Sequence, residues 1–330
     1  SGQINMKLRE KEQQLLNEIQ YNFPLTERPF LTVAQRIGST EDDVLGSIHT
    51  LIDEKVVREI RPIYDAKRLG YQSALISFNV DSQKIDFAVE SINAYSGVTH
   101  NYLRAHEYNI WFTLTVPPEL SIKSMVEKIA EESGVEKYLI LPALKTYKIS
   151  FTLNMKENKG EKDSYRAPIN KNDTKGYSFD KHFISVVQGA LPIRSRPWKE
   201  MATRLGWEER MILAELEKLI NQGYCRRVAA VLKPAKAGYK SNVMVVWAPS
   251  REKIDYLGNL AANHPQISHC YARPVSQEWP YSVYTMVHAR DREEVEKIVF
   301  DLSAQSGIEQ NIMLLTLKEF KKSTMMFFVK

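Results

Sequence analysis

Leu25-Thr26-Glu27-Arg28-Pro29-Phe30 returns later in the chain as Ile193-Arg194-Ser195-Arg196-Pro197-Trp198. With residue 25 laid on residue 193, the rest falls into step. Arg36-Ile37-Gly38 meets Arg204-Leu205-Gly206, and the apolar set Val44, Leu45, Ile48, Leu51, Ile52 meets Ile212, Leu213, Leu216, Leu219, Ile220. Gly70-Tyr71 meets Gly238-Tyr239. After small insertions His100-x-Tyr102-x-Arg104 meets His269-x-Tyr271-x-Arg273, and Ser133-Gly134 meets Ser306-Gly307. Agreement of this length at a nearly constant offset is the mark of an internal duplication.

Each half opens with helical periodicity. Met6–Tyr21 carries Leu8, Leu15, Leu16 and Ile19 on one face, and Leu31–Ile37 and Glu41–Lys55 follow a proline turn. Thr40 suits an N-cap, with three acids in the first turn behind it. Val56–Ile63 reads as a short strand or wing, which completes a winged helix-turn-helix pattern. The remainder of the half reads strand, helix, strand, strand, helix, strand: Gln72–Val80, Gln83–Tyr95, Val98–Ala105, Tyr108–Val116, Leu120–Glu132 and Val135–Tyr147. That order is ferredoxin-like. The fold class expected is therefore α+β, a tandem duplication with a winged helix-turn-helix module at 4–65 and 181–233 and a ferredoxin-like βαββαβ module at 66–155 and 234–330. A charged, aperiodic linker is expected at 156–180.

Composition narrows the function classes. The 330 residues are 43% hydrophobic and 10% aromatic, enough to build cores. Two cysteines, Cys225 and Cys270, share no short motif, which argues against a disulfide framework or a cysteine-rich metal site and fits a reducing cytoplasm. Ser1-Gly2 reads as a tag scar, no signal peptide is expected, and no apolar run is long enough for a membrane span. A net charge of +5 is compatible with a polyanionic partner or with solubility alone.

A helix-turn-helix suggests DNA, yet the end of the reading helix that enters a major groove carries Glu41-Asp42-Asp43 in one half and Glu208-Glu209 in the other. Carboxylates there stabilise the helix and repel phosphate. No arginine follows before Arg58 in the first half, and Arg210 relieves the second half only. DNA binding is not the favoured expectation, a ligand-sensing, DNA-binding transcription regulator is kept as the alternative, and the helical modules are assigned to assembly or to pocket walls.

The unusual chemistry lies in the β-rich modules. In His100-Asn101-Tyr102-Leu103-Arg104-Ala105-His106-Glu107-Tyr108-Asn109-Ile110-Trp111-Phe112-Thr113, alternation places His100, Tyr102, Arg104 and His106 on one face if the strand persists that far, and Tyr108 rejoins it across the turn. Such a face is costly unless it lines a pocket or meets solvent. The second half keeps His269, Tyr271 and Arg273, and sets Trp279 near the place of His106, followed by Tyr281. A conventional metal site is not expected, since these histidines lack acidic or thiol partners at ligand spacing. A porphyrinoid iron, however, needs only one axial histidine.

The string His100-Asn101-Tyr102-x-Arg104-x-His106-x-Tyr108-Asn109-x-Trp111-Phe112-Thr113 resembles one subunit type of the siroheme decarboxylases. Ser268-His269-Cys270-Tyr271-x-Arg273-Pro274 with Trp279-Pro280-Tyr281 resembles the other. The likeness covers both halves and suits a fused form, built on the layout of leucine-responsive (AsnC-type) regulators. It implies a carboxy-lyase that removes the carboxyl groups of two acetate side chains of siroheme, giving didecarboxysiroheme for haem d1 or haem formation, with no added cofactor because the iron belongs to the substrate. It implies His100 and His106 as proton donors and Tyr102 and Tyr108 as orienting groups. Arg104, Arg273, Tyr271, Trp279, Tyr281, Trp111 and Arg58 would bind the macrocycle, assisted by Arg61, Arg226 and Arg227. His269 is left as either a second acid or an axial ligand to the siroheme iron. The two halves are expected to pair within the chain, with further self-association open.

Overall fold

The computed structural model describes residues 10–149, 178–232 and 241–329. The first half gives α1 (Glu10–Tyr21), α2 (Pro29–Arg36), α3 (Glu41–Asp53) and β1 (Val57–Tyr64). It continues with β2 (Gln72–Phe78), α4 (Ile85–Asn93), β3 (Val98–Arg104), β4 (Ile110–Val116), α5 (Ile122–Ser133), β5 (Tyr138–Pro142) and β6 (Lys145–Ile149). The second half repeats this with α6 (Lys181–Val187), α7 (Lys199–Leu205), α8 (Glu209–Asn221) and β7 (Cys225–Leu232). It ends with β8 (Ser241–Trp247), α9 (Ile254–Asn263), β9 (Ile267–Ala272), β10 (Val283–Ala289), α10 (Arg292–Ser306) and β11 (Asn311–Lys322). The expected linker between 156 and 177, and the pair Gly238-Tyr239, lie outside the described residues. The fold is α+β and duplicated, as its pattern of apolar residues requires.

The chain forms two compact units, one of Ser1–Gly70, Asn154–Ala237 and Met326–Lys330, the other of Tyr71–Leu153 and Gly238–Met325. The first gathers both helical modules. Thr40 caps α3, its hydroxyl accepting from Asp43 N at 3.2 Å. The acids behind it have structural partners. Glu41 is buried and pairs with Arg28, and its repeat equivalent Glu209 is buried and pairs with Arg196 at 3.2 Å. The arginine of each Arg-Pro turn thus fastens the turn to the following helix. The short strand or wing expected over Val56–Ile63 is the strand β1, and it pairs antiparallel with its counterpart β7 in the other half, from Val57 against Leu232 to Tyr64 against Cys225. One strand from each half makes the ribbon because a lone strand leaves its backbone groups unpaired.

The second unit holds the two ferredoxin-like modules. Its strand order is β5-β2-β4-β3-β11-β8-β10-β9-β6, so each module supplies four strands in the ferredoxin sequence and the modules join through β3 and β11. The strand expected over Val135–Tyr147 is divided at Ala143-Leu144: β5 pairs with β2 in its own half, while β6 pairs with β9 in the other. Strand β11 does the same without a break, pairing β8 through Leu315 and β3 from Thr316 onward. The last strand of each half therefore belongs to both sheets.

Three apolar layers result. One packs α4 and α5 on the first sheet through residues such as Ile76, Phe112 and Ile129, and one packs α9 and α10 on the second through Val245, Leu257 and Ile298. The third contains no helix: Trp111, Leu139 and Leu141 of one half meet Met244, Val246, Trp279, Tyr284 and Leu314 of the other. Both α5 and α10 stop at a glycine, Gly134 and Gly307, with φ of 64° and 65°. A side chain is disfavoured in that left-handed conformation. Replacing Gly307 by Ala is expected to cost about 1 kcal/mol, read as a lower urea midpoint, and an unchanged midpoint would contradict the cap.

Candidate active site

The helix-free layer is where the chemistry-bearing residues gather. In β3, Val98 opposes Leu114 while His100 opposes Thr113, so Thr99 is an extra residue, a bulge. In β9 the same irregularity falls at Ser268, since Ile267 opposes Val287 and His269 opposes Met286. Bulges re-aim side chains, and here each sets a hydroxyl beside a histidine: Thr99 Oγ1 lies 3.0 Å from His100 Nδ1, and Ser268 Oγ lies 2.7 Å from His269 Nδ1.

From each histidine a ladder runs along its strand. The His100 ring stacks on Tyr102 at 6.3 Å between centroids, and the Arg104 guanidinium sits 5.3 Å from the Tyr102 ring. In the second half His269 stacks on Tyr271 at 6.2 Å, and Arg273 lies 4.9 Å from Tyr271 and 5.3 Å from Tyr284. The alternation read from sequence accounts for both ladders.

Both arginines reach into the other half's last strand. Arg104 Nη1 donates to Leu314 O at 2.8 Å and to Thr316 Oγ1 at 3.0 Å, and Arg273 Nη1 donates to Leu141 O. Arg104 is 4% exposed. Burial pulls its pKa down to about 10 and lowers that of Arg273 as well. Both stay cationic at neutral pH. Among the described residues neither has a carboxylate partner, and the Nε of each is buried without an acceptor.

His106 departs from expectation. β3 ends at Arg104, so His106 lies in the turn and not on the ladder. Its Nδ1 accepts from Tyr108 N at 3.0 Å, its ring stacks on Tyr108 at 6.3 Å, and it meets Trp279 edge-on at 5.4 Å. Trp279 also contacts Tyr108, Trp111 and Tyr281, at 5.7, 5.6 and 4.9 Å. The residue that aligns near His106 thus touches it. Polar ends are satisfied locally: Trp111 Nε1 donates to Tyr108 O at 2.7 Å, Trp279 Nε1 to Tyr284 Oη at 2.6 Å, and Tyr108 Oη to Glu278 at 3.2 Å. Burial, reinforced by Glu278, raises the Tyr108 pKa. Burial, with Glu319 across the β3–β11 pair, raises that of Tyr102.

Arg58 belongs to the helical unit, where it lies 4.0 Å from Glu59. Arg61 is buried 3.6 Å from the same carboxylate, and Arg226 pairs with Asp65 at 3.1 Å. Three residues escaped the sequence reading: Tyr284, Glu278 and His288. The repeat would have found Tyr284, because Tyr102 opposes Trp111 as Tyr271 opposes Tyr284. Nothing local marks the other two.

Comparison with known proteins agrees with this architecture. Residues 68–148 and 236–321 match the AsnC-like ligand binding domain, and residues 12–58 and 180–226 match the siroheme decarboxylase NirDL-like HTH domain. The siroheme decarboxylase of Hydrogenobacter thermophilus is 37% identical over 321 residues, 95% of this chain and 94% of its own. The chain belongs to the siroheme decarboxylase family. It is accordingly an enzyme, a carboxy-lyase. The siroheme decarboxylase alpha subunit of Desulfovibrio desulfuricans is 40% identical over 144 residues, 44% of this chain and 83% of its own, as befits a chain that carries two such halves. A crystal structure of the siroheme decarboxylase NirDL in complex with an iron-uroporphyrin III analogue superposes with a TM-score of 0.75 at 33% identity, covering 97% of this chain and 95% of that one. No described helix is long and apolar enough to cross a membrane.

In this member of the family two histidines of the second half are held neutral. Burial lowers His269 to about 4, helped by Lys148, and lowers His288 to about 4, helped by His269 and Lys322. A histidine whose pKa falls on folding binds its proton more readily when unfolded, so stability is full above its ordinary value near 6.5 and is lost as pH falls toward 4. The urea midpoint of the protein should fall across that window, and His288→Gln should flatten the fall. An unaltered slope in the variant would show that His288 titrates normally.

Proposed function

We propose that this protein decarboxylates siroheme, removing the carboxyl groups of two acetate side chains to give didecarboxysiroheme for haem d1 or haem formation. The observation that carries this reading is the pair of guanidiniums Arg104, buried, and Arg273, half-buried with its Nε enclosed, with no carboxylate facing either among the described residues. A buried charge without a counter-ion costs several kcal/mol, roughly, which a polycarboxylate ligand would relieve. Aromatic rings alternating with these cations suit a wide, flat polyanion. The NirDL complex with an iron-uroporphyrin III analogue supports the ligand class. The acids at the start of α3 and α8 speak against DNA as the partner.

Arg104 and Arg273 hold carboxylates that stay on the ring, and Tyr271 and Tyr281 flank the macrocycle, backed by the buried Trp279 and Trp111. The departing carboxylate lies against apolar surface, where loss of its charge ends the desolvation penalty. Cleavage of the C–C bond releases carbon dioxide and leaves an electron pair on the side-chain carbon, delocalised into the macrocycle. A proton then completes a methyl group. His100 and His106 deliver that proton in the first half, and Tyr102 and Tyr108 orient them. Burial lowers the His106 pKa, and a substrate carboxylate beside the ring restores the protonated form. His269, neutral in its ladder, is a poor acid and a good ligand, and it serves as axial ligand to the siroheme iron. No separate cofactor takes part.

The test is anaerobic incubation with siroheme followed by mass spectrometry of the extracted tetrapyrrole, which should lose one and then two carbon dioxide units. His100→Ala and His106→Ala should leave binding intact and slow turnover about 10²- to 10⁴-fold; full turnover in both would remove them from the mechanism. Arg104→Met should weaken siroheme binding about 10- to 100-fold, the loss of a charge-assisted bond. Binding without any loss of mass would leave a tetrapyrrole carrier and defeat the enzymatic reading.

A further inference from the structure

His269 is braced from behind. The Ser268 hydroxyl, 2.7 Å from His269 Nδ1, is also 2.6 Å from Nε2 of His288. The bulge in β9 places Ser268 there, and His288 comes from the neighbouring strand β10. The His288 main chain is pinned in turn: its N–H donates to Gln266 O at 2.8 Å and its carbonyl accepts from Gln266 Nε2 at 3.3 Å. Ser268 is 2% and His288 6% exposed, so water does not compete for these bonds.

A hydroxyl carries one proton to donate and lone pairs to accept with. Between two imidazole nitrogens at these distances it donates to one ring and accepts from the other, so the protonation of one nitrogen dictates that of the other. A histidine that ligates iron through Nε2 keeps that nitrogen bare and its proton on Nδ1. The direction then follows. His269 Nδ1–H donates to Ser268, and Ser268 donates to His288 Nε2.

The first half lacks the second link. Thr99 stands beside His100 as Ser268 stands beside His269. However, counting along β4 from Trp111, the equivalent of Tyr284, brings Thr115 to the place of His288, and Thr115 bonds Ser73 at 2.8 Å. Among the described residues this Ser–His pairing is seen behind His269 and has no counterpart at Thr115.

We propose that Ser268 and His288 are positioning residues of the substrate's iron site, fixing the tautomer and ring plane of His269 so that its Nε2 is presented to the siroheme iron. This rests on the reading of His269 as the iron ligand. It gives the unequal halves a division of labour, iron held in one and protons delivered in the other.

The experiment titrates the full chain anaerobically with siroheme and, separately, with the metal-free macrocycle bearing the same carboxylates, following absorption. Ser268→Ala and His288→Phe should weaken siroheme binding about 10- to 100-fold and shift its bands, while affinity for the metal-free macrocycle stays unchanged. His288→Gln, whose amide oxygen accepts where Nε2 did, should restore much of the wild-type spectrum. Equal weakening toward both macrocycles would make the relay merely structural and overturn the proposal. A wild-type spectrum in Ser268→Ala and His288→Phe would also overturn it if His269→Ala alters the bands. A wild-type spectrum in His269→Ala itself would remove the iron-ligand reading, and the proposal with it.

Discussion

A sheet with helices on one face must find something to cover the other, and in this protein each half covers its twin. The helix-free faces of the two ferredoxin-like modules pack through Trp111, Trp279, Tyr284 and their aliphatic neighbours. Each large aromatic side chain buried there contributes roughly 2–3 kcal/mol, and the edge-on ring pairs add about 0.5–1.5 kcal/mol apiece. The crossing strands β11 and β5–β6 commit the backbone to the same union, because their hydrogen bonds are shared between sheets. Neither half can satisfy its strands without the other. The candidate site is a by-product of this necessity: ladders of His, Tyr and Arg stand on faces that the fold has to bury.

That burial sets the electrostatics. Arg104 and Arg273 reach carbonyl oxygens of the opposite half and so help tie the two sheets, yet carbonyl dipoles satisfy a guanidinium only in part. Two positive charges thus stand in a layer of tryptophan and leucine with no carboxylate partner among the described residues. Burial lowers the pKa of both histidines: that of His106 in its turn, and that of His269, beside Lys148, to about 4.

Much of this was legible in the sequence because the duplication multiplies every signal. Periodicity of two places His100, Tyr102 and Arg104 on one face, and the second copy confirms it with His269, Tyr271 and Arg273. Thr40 reads as a cap from local chemistry alone. What escaped depends on contacts distant in sequence. The wing of each half cannot be recognised as half of a shared ribbon, since β1 and β7 look alike whether they pair within a module or between modules. The break at Ala143-Leu144 is invisible because strand propensity continues through it while the partner changes. That β3 stops at Arg104, short of His106, is not legible because alternation says nothing of where a hairpin turns. Bulges leave no mark in a hydrophobic pattern, so the hydroxyls of Thr99 and Ser268 could not be placed beside their histidines.

The contact between His106 and Trp279 has a meaning that reaches beyond its 5.4 Å. Where two identical subunits meet about a dyad, a residue at the axis faces its own copy, and any change there is made twice. Unlike residues cannot face each other at such a point. A chain that encodes both partners escapes this rule, since each side of the axis has its own codons. It also fixes the pairing, because a tethered partner is present at high effective concentration and cannot be exchanged for an identical one. The meeting of an imidazole and an indole at this centre is a chemical asymmetry that the fused chain makes heritable.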